Sequence, residues 1–523
     1  MDKLKLLDCT LRDGGYINNW NFGYKTICNI IRKLIESRTD YIEVGFLRNC
    51  EYNKDITLFN SIEEVKPILQ SDKGDSIYSI MALHNLYDVN KLEKNNGTVD
   101  IVRVTFHDYD VDEGLLFIKK VIDKGYRVFC NPINIMGYSD VEILRLLEKI
   151  NSLHPYAFSI VDTFGSMMKN DLLRIYSLVE HNLDTSIHVG LHLHENLGLS
   201  YSLAQNFIEI CGANRGMVID ASLFGMGRAP GNLNIELMMD YLNKYQNGHY
   251  NPNSAYDAID DYIAPLKQIE AWGYSTTYAL SAKYNLHRNY SEYLLGKGKL
   301  RAKDINQILA GVSKEKKTAY DEKYIEDLYL KYQNDVIDDT ESKKYLKDII
   351  YGKNVLLLAP GYSLNTYKSA IEEFITKNEP VIISANYADT VFGASYNFYS
   401  NIRRFEQYAS SGSDKIVLIT SNICKAAVGN YVAFNYYDLA CDENGLFDNC
   451  VIMILRLLGL IGMKKITVAG FDGFDTTVPN YAYDSYVSDT KYKKELNKDI
   501  KKNIDKLQKK IAVNFLTPSL YTE

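Results

Sequence analysis

Short apolar segments alternate with amphipathic ones along the first 245 residues or so, which predicts a strand followed by a helix, repeated eight times. The predicted strands are Leu4–Asp8, Tyr41–Gly45, Ile77–Leu83, Asp100–Phe106, Tyr126–Cys130, Ala157–Asp162, Ile187–His194 and Val218–Ser222. Eight strands with helical crossovers match the size and strand count of a (β/α)₈ TIM barrel. A doubly wound open sheet can also be drawn through the same segments.

Polar side chains fall at the carboxyl ends of these strands. The first strand ends in Asp8 and runs into Thr10–Gly15, the second carries Glu43, and the seventh carries His192 and His194. In a barrel all of these ends converge on one mouth, where the active site of this fold lies. In an open sheet only two or three of them would be neighbours. The pattern therefore favours an α/β chain with an N-terminal TIM barrel.

His192 and His194 lie two residues apart on a predicted strand, so both side chains point to the same face. Asp13 lies in a loop that reaches the same mouth of the barrel. Two imidazoles and a carboxylate suit a divalent cation, and such a mixed set leaves coordination positions open for a substrate. The alternative is that one histidine supports a hydrogen-bond network while the other packs.

Three segments resemble a known family. The sequence LDCTLRDGG at residues 7–15 resembles the D-x-T-L-R-D-G signature of the DRE-TIM metallolyase (HMG-CoA lyase-like) superfamily. HVGLHLHENLGL at residues 188–199 resembles the second metal motif of that superfamily, and DASLFGMGRAPGN at residues 220–232 resembles its eighth-strand segment. The three motifs occur in order on predicted strands one, seven and eight, and the resemblance covers about residues 1–300.

The resemblance implies a metal-dependent carbon–carbon lyase. Asp13, His192 and His194 would bind Mn²⁺ or Mg²⁺, and Asn232 is an additional candidate ligand. Arg12 would face the oxygen that becomes an enolate. A cation chelated by a 2-oxo acid polarises the keto oxygen, and a guanidinium shares the negative charge that develops during carbon–carbon cleavage.

Within the superfamily, the motifs favour an aldolase. Claisen-type synthases usually carry G-E-R-x-G-N after strand eight, and residues 227–232 lack that glutamate. The short form here resembles 4-hydroxy-2-oxovalerate aldolases, and SAKYNLHRNY at residues 281–290 resembles the helical segment that carries their catalytic tyrosine. The resemblance implies reversible aldol chemistry between pyruvate enolate and an aldehyde.

Two other functions remain open at this point. One is an acyl-CoA-dependent Claisen-type synthase of the same superfamily. The other is a non-catalytic binding module with the barrel as a scaffold. Retention of Arg12, Asp13, His192 and His194 together speaks against the second, because a dead site has no physical need for all four.

The acid/base residue is the main departure from the aldolase pattern. In those aldolases a histidine follows the R-D-G element, whereas Gly15 and Tyr16 occupy that stretch here. A phenol, with an ordinary pKa of about 10, is a poor base at neutral pH. Tyr16, His287 and Tyr290 are therefore competing catalytic candidates, and Glu43 is a candidate for orienting Arg12.

Beyond the barrel, the apolar pattern predicts three further regions. Residues 251–312 are predicted as a helical extension that completes the active site of a barrel spanning 1–250. Residues 313–352 are rich in Lys, Asp, Glu and Tyr and are predicted as a charged helical linker. From residue 353 the strand–helix alternation restarts, with strands near Val355, Val381, Lys415 and Lys465, which predicts a smaller Rossmann-like α/β domain over 353–523.

This second domain has a fainter resemblance of its own. Gly361–Leu364, Asn386 and the segments 448–458 and 466–472 resemble Rossmann-like domains of the pterin pyrophosphokinase-like and bacterial sialyltransferase-like kind. The usual G-P-S-L turn is G-Y-S-L here, which puts transfer activity in doubt. The resemblance implies a nucleotide or nucleotide-sugar partner at Gly361, Ser363, Asn386 and Asp472. Such a partner would suit an aldolase that extends a sugar aldehyde for a bacterial surface polysaccharide. The alternative at Gly361 is a plain strand–helix turn.

Composition restricts the binding partners and the cellular location that we expect. The 523 residues carry a formal net charge of −7, which argues against nucleic-acid or anionic-membrane binding. Eight cysteines form no C-x-x-C pair, and the longest apolar run, 451–463, is interrupted by Arg456. We expect a cytoplasmic homo-oligomer that acts on small molecules, namely pyruvate or another 2-oxo acid and an aldehyde, and that binds neither nucleic acid nor membranes.

Overall fold

The computed structural model describes residues 3–211, 215–228, 230–408, 416–427, 429–443, 445–475, 480–482 and 493–522. Ala229 of the eighth-strand motif and Lys415, the start of a predicted strand, lie outside the described residues. The chain divides into two compact units. The barrel unit comprises Met1–Ser291 and Ser313–Tyr320, and the second unit comprises Glu292–Val312 and Asp321–Glu523. The predicted domain boundaries stay a prediction.

A closed parallel barrel forms the centre of the first unit. Its strands, in chain order, are β1 (Leu4–Asp8), β2 (Tyr41–Leu47), β3 (Leu58–Phe59), β4 (Ile77–Leu83), β5 (Ile101–Phe106), β6 (Arg127–Pro132), β7 (Ala157–Asp162), β8 (His188–Leu193) and β9 (Met217–Ala221). The ring runs β1, β2, β4, β5, β6, β7, β8, β9, and β1 pairs in parallel with both β2 and β9. The short β3 is an additional strand beside β2. The TIM-barrel prediction is confirmed, and the open sheet is excluded.

Helices cover the outside of this barrel. They are α1 (Tyr24–Glu36), α2 (Val111–Asp123), α3 (Asp140–Leu153), α4 (Lys169–Asn182), α5 (Ser200–Ile210), α6 (Ile235–Tyr245), α7 (Pro252–Ala258), α8 (Ala264–Ile269), α9 (Thr276–Lys283) and α10 (Asn289–Gly296), which begins in this unit. In α1 the apolar residues Ile27, Ile30, Ile31 and Leu34 recur at helical spacing and are all buried. The apolar face of α1 thereby covers one side of the barrel core.

The loops at the carboxyl ends are tied to one another. The Thr10 hydroxyl donates to Asp8 Oδ2 at 2.8 Å and accepts from the backbone N–H of Leu223 at 2.8 Å. This hydrogen-bonded link joins the loop after β1 to the turn after β9. Asp13 and Asn232, which lie on those two loops, are held at the same end of the barrel in consequence.

The second unit contains a seven-stranded parallel sheet. Its strands are β10 (Val355–Leu358), β11 (Val381–Ala385), β12 (Tyr396–Tyr399), β13 (Val417–Thr420), β14 (Tyr431–Phe434), β17 (Lys465–Ala469) and β18 (Ala512–Phe515), with a separate hairpin of β15 (Cys441–Asp442) and β16 (Gly445–Leu446). The order across the sheet is β14, β13, β12, β11, β10, β17, β18. The strand order reverses between β10 and β17. The predicted parallel α/β domain is confirmed.

The helices of this unit are mostly short. They are α11 (Ala302–Ala310), α12 (Glu322–Gln333), α13 (Thr340–Ile350), α14 (Ser363–Thr366), α15 (Lys368–Asn378), α16 (Ile402–Tyr408), α17 (Tyr436–Ala440), α18 (Cys450–Leu460) and α19 (Lys493–Gln508). The apolar run predicted from sequence falls mostly on α18, which is buried against the sheet. In the described part of the chain, no helix is both long enough and apolar enough to cross a membrane.

Candidate active site

A chain of buried charges crosses the interior of the barrel near the carboxyl ends of its strands. Arg12, which follows β1, donates from Nε to Glu43 Oε2 at 2.7 Å and from Nη1 to Asp13 Oδ1 at 2.6 Å. Arg12 is only 5% exposed and Glu43 is fully buried. Burial alone would raise the pKa of the Asp13 carboxyl, but Arg12 is the strongest of several neighbours whose combined effect outweighs burial and holds the pKa well below its usual range. Arg12 and Asp13 are therefore both charged and fixed in position.

Arg103 extends the chain of charges to the far side of the barrel. Its Nη1 donates to Glu43 Oε2 at 3.2 Å, and its Nη2 bonds the carboxylate of Asp220 on β9. Three carboxylates and two guanidiniums leave one formal negative charge in this buried site. Sequence analysis missed Arg103, although a lone arginine in the otherwise apolar strand IVRVTF was a usable signal.

The predicted metal ligands come together. Single ligand atoms of Asp13, His192 and His194 lie within 4.8 Å of one another. His192 Nδ1 lies 3.0 Å from Asp220 Oδ2, and His194 Nδ1 lies 3.1 Å from the carbonyl oxygen of Gly231. Donation from Nδ1 to these acceptors leaves both Nε2 lone pairs for a metal. Burial lowers the pKa of His194 to about 3, so this imidazole is neutral at neutral pH, as a ligand must be.

The residues present fit a divalent cation. Asp13 Oδ2 and Asn232 Oδ1 are buried oxygens without a hydrogen-bond donor among the described residues. Asn232 forms a β-bridge with His194, and its Nδ2 donates to the carbonyl oxygen of Met226 at 3.2 Å. Orphaned buried oxygens and a net negative charge are both costly, and a hard cation relieves both costs. The site can therefore hold a divalent cation with mixed oxygen and nitrogen ligands.

A pocket opens directly above these residues. Its polar lining includes Arg12, Asp13, His192 and His194. Apolar walls come from several strands and loops, namely Phe46, Met81, Leu83, Ile133, Val161 and Phe164. A small apolar pocket with a few convergent charged groups is the usual form of a site for a small-molecule substrate.

Tyr16 lines the pocket beside the charged groups. Its ring packs edge-on against Trp20, with the ring centres 4.7 Å apart, and Trp20 Nε1 donates to the Arg12 carbonyl oxygen at 2.8 Å. A Cβ on Gly15 would lie 2.0 Å from Trp20 Cδ1, so this close approach requires glycine. Gly15, Trp20 and Tyr16 thus fix the loop that presents Arg12.

His287 also lines the pocket, but its ring is already engaged. Its Nε2 lies 3.0 Å from Nη2 of Arg228, which can only donate. Burial, followed by the charges of Arg228 and Arg288, lowers the pKa of His287 to about 3. His287 is therefore neutral at neutral pH, with one lone pair used by an arginine.

The structure places Tyr290 away from the pocket. Tyr290 is completely buried, and its hydroxyl lies 2.7 Å from the carbonyl oxygen of Lys316 and 3.0 Å from that of Ala319. The described residues that line the pocket do not include Tyr290. Its position follows from packing at the start of α10, which motif comparison does not reveal.

The predicted nucleotide residues lie at the carboxyl edge of the second sheet. The N–H of Ser363 donates to Asp472 Oδ2 at 2.7 Å, and its hydroxyl donates to Asp472 Oδ1. A Cβ on Gly361 would lie 2.2 Å from the carbonyl oxygen of Gly470, so these two turns are in close contact. Asn386 follows β11, and its Oδ1 accepts from the N–H of Ser400 at 3.0 Å. Gly361, Ser363 and Asp472 come together, whereas Asn386 lies on the next loop.

The link between Asp220 and His192 generates a test of the metal site. Asp220→Asn removes the carboxylate that bonds His192 Nδ1 and Arg103, so we expect Mn²⁺ affinity to fall about 10- to 100-fold. Isothermal titration calorimetry measures this, with the exposed Asp112→Asn as the matched control. An Asp220→Asn protein that binds Mn²⁺ as tightly as the parent would contradict the assignment.

Several known proteins match about half of this chain. A family model described as HMGL-like matches residues 3–260. A 4-hydroxy-2-oxovalerate aldolase from Carboxydothermus hydrogenoformans is 26% identical over 274 residues, which cover 50% of this chain and 78% of that protein. An oxaloacetate decarboxylase from Mycobacterium tuberculosis is 22% identical over 247 residues, 46% of this chain and 70% of that protein. The crystal structure of an HMG-CoA lyase from Brucella melitensis matches 51% of this chain and 99% of that chain at 16% identity and a TM-score of 0.41.

The family match and the three motifs converge on the same residues. The motif LDCTLRDGG supplies Arg12 and Asp13, HVGLHLHENLGL supplies the two histidines, and both segments lie inside the matched range. The barrel of this chain, over residues 3–260, belongs to the HMGL-like family of the DRE-TIM metallolyase superfamily.

Proposed function

We propose that the barrel is a divalent-metal-dependent aldolase that makes and breaks the bond between a pyruvate enolate and an aldehyde. The product of synthesis would be a 4-hydroxy-2-oxo acid. The observation that carries this proposal is Arg12, held by Glu43 and Asp13 directly beside the Asp13–His192–His194 cluster. Relatives at 26% and 23% identity bear the name 4-hydroxy-2-oxovalerate aldolase, which supports the same chemistry.

The metal ligands and Arg12 would act on the same oxygen. When bound by Asp13, His192, His194 and Asn232, a divalent cation supplies a Lewis acid for the keto oxygen of a 2-oxo acid. Arg12 lines the pocket with two of its nitrogens bonded to carboxylates, while Nη2 has no hydrogen bond to the described residues. This Nη2 donates to the oxygen that gains negative charge. Because Glu43 and Asp13 fix the guanidinium beforehand, no reorganisation is needed as the charge develops.

Tyr16 carries out the proton transfers at the 4-hydroxyl group. In cleavage, Tyr16 in its phenolate form accepts the proton of the 4-hydroxyl, the electrons of the C3–C4 bond pass into the enolate, and the aldehyde leaves. In synthesis, the Tyr16 hydroxyl donates its proton to the aldehyde oxygen that becomes the new hydroxyl. His287 is the weaker candidate, because its Nε2 accepts from Arg228 and its low pKa, about 3, makes it a poor base.

We also propose that the second unit binds a nucleotide or nucleotide-sugar. Gly361 and Asp472 follow β10 and β17, the two strands between which the order of the sheet reverses. Open α/β sheets bind ligands outside the carboxyl ends of strands at such a point. The Asp472 carboxylate already holds the N–H of Ser363, so it suits a sugar hydroxyl better than a phosphate. The link to surface polysaccharide stays a prediction.

Enolisation can be tested without knowing the aldehyde. With Mn²⁺ and pyruvate in D₂O, we expect the protein to exchange the pyruvate methyl protons, followed by NMR. Arg12→Lys should lower the exchange rate about 100- to 1,000-fold because it removes a preorganised donor to the enolate oxygen. The exposed Arg32→Lys on α1 is the matched control. An exchange rate equal to that of chelator-treated protein would refute the proposed function.

The proton-transfer assignment predicts a contrast between two variants. Tyr16→Phe should lower kcat for aldol cleavage by about 100-fold or more, whereas the exposed Tyr109→Phe serves as its control. Because the pKa of His287 is lowered to about 3, its ionisation lies below the working range. His287→Gln should therefore leave the shape of the pH–rate profile unchanged between about pH 5 and 9. Loss of a limb of that profile in His287→Gln, with Tyr16→Phe active, would reverse the two assignments.

Nucleotide binding is tested on the full chain by thermal shift with CMP, CDP, UDP and GDP. A ligand at about 100 times its Kd should stabilise the protein by about 2.7 kcal/mol, which raises the Tm by several degrees. Asp472→Asn should abolish that rise, and Asp505→Asn on α19 is the control. No shift with any of the four ligands would remove the basis for this partner.

A further inference from the structure

Two arginines on the pocket wall have no part in the reaction proposed above. Arg228 lies in the loop after β9, and Arg288 immediately precedes α10. Both line the same pocket as Arg12 and the metal ligands. Among the described residues that line the pocket, Asp13 is the sole acidic side chain, and it already bonds Arg12. The described lining therefore offers no acidic partner to Arg228.

Arg12 and Arg103 differ from Arg228 in the charge of their hydrogen-bond partners. Arg12 and Arg103 each bond two carboxylates. The contacts of Arg228 are neutral: its Nη2 lies 3.0 Å from His287 Nε2, and its guanidinium carbon lies 5.4 Å from the centre of the Tyr16 ring. Its Nε is buried and has no hydrogen-bond acceptor among the described residues. A guanidinium with a buried unpaired donor is strongly favoured to meet an anion.

Positively charged side chains also surround His287. After burial, the influences that lower its pKa to about 3 are the charges of Arg228, Arg288 and His107. No acidic side chain is among these influences. Arg228 and Arg288 thus both face the space around His287, and their fields reinforce each other there.

Arg228 lies beside a different residue from those that would hold the 2-oxo acid. A 2-oxo acid would sit against Asp13, His192, His194 and Arg12. Arg228 instead lies over Tyr16, the residue that would serve the oxygen of the incoming aldehyde. An anion held by Arg228 and Arg288 would therefore belong to the acceptor.

We propose that Arg228 and Arg288 form a subsite for an anionic group, a carboxylate or a phosphate, carried by the acceptor aldehyde. The proposal rests on the aldolase function proposed above and names its substrate class. The aldol product would then be negatively charged at both ends, at the 2-oxo acid and at the far end of the acceptor. Arginine suits this role because its planar fork matches both carboxylate and phosphate oxygens.

The direct test compares aldehydes of similar size that differ in charge. With Mn²⁺ and pyruvate, kcat/KM is measured for succinic semialdehyde against butanal, and for glyceraldehyde 3-phosphate against glyceraldehyde. We expect the anionic member of at least one pair to be favoured about 10- to 100-fold, and the pair that shows the preference identifies the anion. If kcat/KM for the neutral aldehyde equals that for the anionic one in both pairs, the proposal is overturned.

Variants connect that preference to the two side chains. Arg228→Gln and Arg288→Gln should each lower the anionic-to-neutral ratio about tenfold, while Arg228→Lys should retain part of the preference. The ratio is the decisive readout, because a purely structural role would lower both rates together. Arg145→Gln, an exposed residue on α3, is the matched control. A ratio that survives in the double variant would contradict the assignment.

A binding experiment separates this proposal from the proposed function. The Mn²⁺-loaded protein is titrated calorimetrically with 2-oxoglutarate, 2-oxoadipate and 2-oxopimelate, each against the monocarboxylate of equal length. We expect at least one dicarboxylate to bind about tenfold tighter or more, and Arg228→Gln to remove the difference. Equal affinities would overturn the anionic subsite even where pyruvate exchange succeeds. If the dicarboxylate preference is preserved but the pyruvate protons do not exchange, the aldolase function is refuted and the anionic subsite is not.

Discussion

The buried chain Asp13–Arg12–Glu43–Arg103–Asp220 is the constraint on which the site depends. A buried charge is stable only when it has a partner of opposite charge with good geometry. Removal of one partner leaves the other charge buried and unpaired. Each guanidinium here is therefore locked between two carboxylates. That lock determines where Arg12 can donate and where Asp13 can bind a cation. The single negative charge left over is the electrostatic reason for a divalent ion at this end of the barrel.

The same chain couples the metal ligands to the barrel wall. Asp220 bonds both Arg103 and His192, so one carboxylate ends the chain of charges and orients a metal ligand. The carbonyl oxygen of Gly231 does the same for His194. A substrate therefore meets groups whose orientations are set by the fold. On the outer wall, Arg228 has no carboxylate partner among the described residues, and this contrast distinguishes a structural arginine from one that could bind a ligand.

Much of the barrel and of the metal site could be predicted from the sequence, because the strand pattern determines where each side chain lies in a barrel. Strand alternation gave the fold, and polar residues at strand ends gave Asp13, His192 and His194, since all such ends share one mouth. The lone charge of Arg103 in its strand was a signal, but its role was not predictable because its partners, Glu43 and Asp220, lie 60 and 117 residues away and meet it only across the closed barrel. Tyr290 was expected in the pocket, but packing at the start of α10 buries it. Arg228 and Arg288 arrive from separate loops, and their convergence has no signature in the sequence.

The central claim is that the negative charge of the buried chain is balanced by a divalent cation at Asp13, His192 and His194. Anomalous diffraction from crystals soaked in Mn²⁺ tests it most directly. The account predicts one strong anomalous peak in contact with the Asp13 carboxylate and both imidazole Nε2 atoms, with the Asn232 amide oxygen beside it. An empty site, or a peak bound elsewhere in the barrel, would contradict the account.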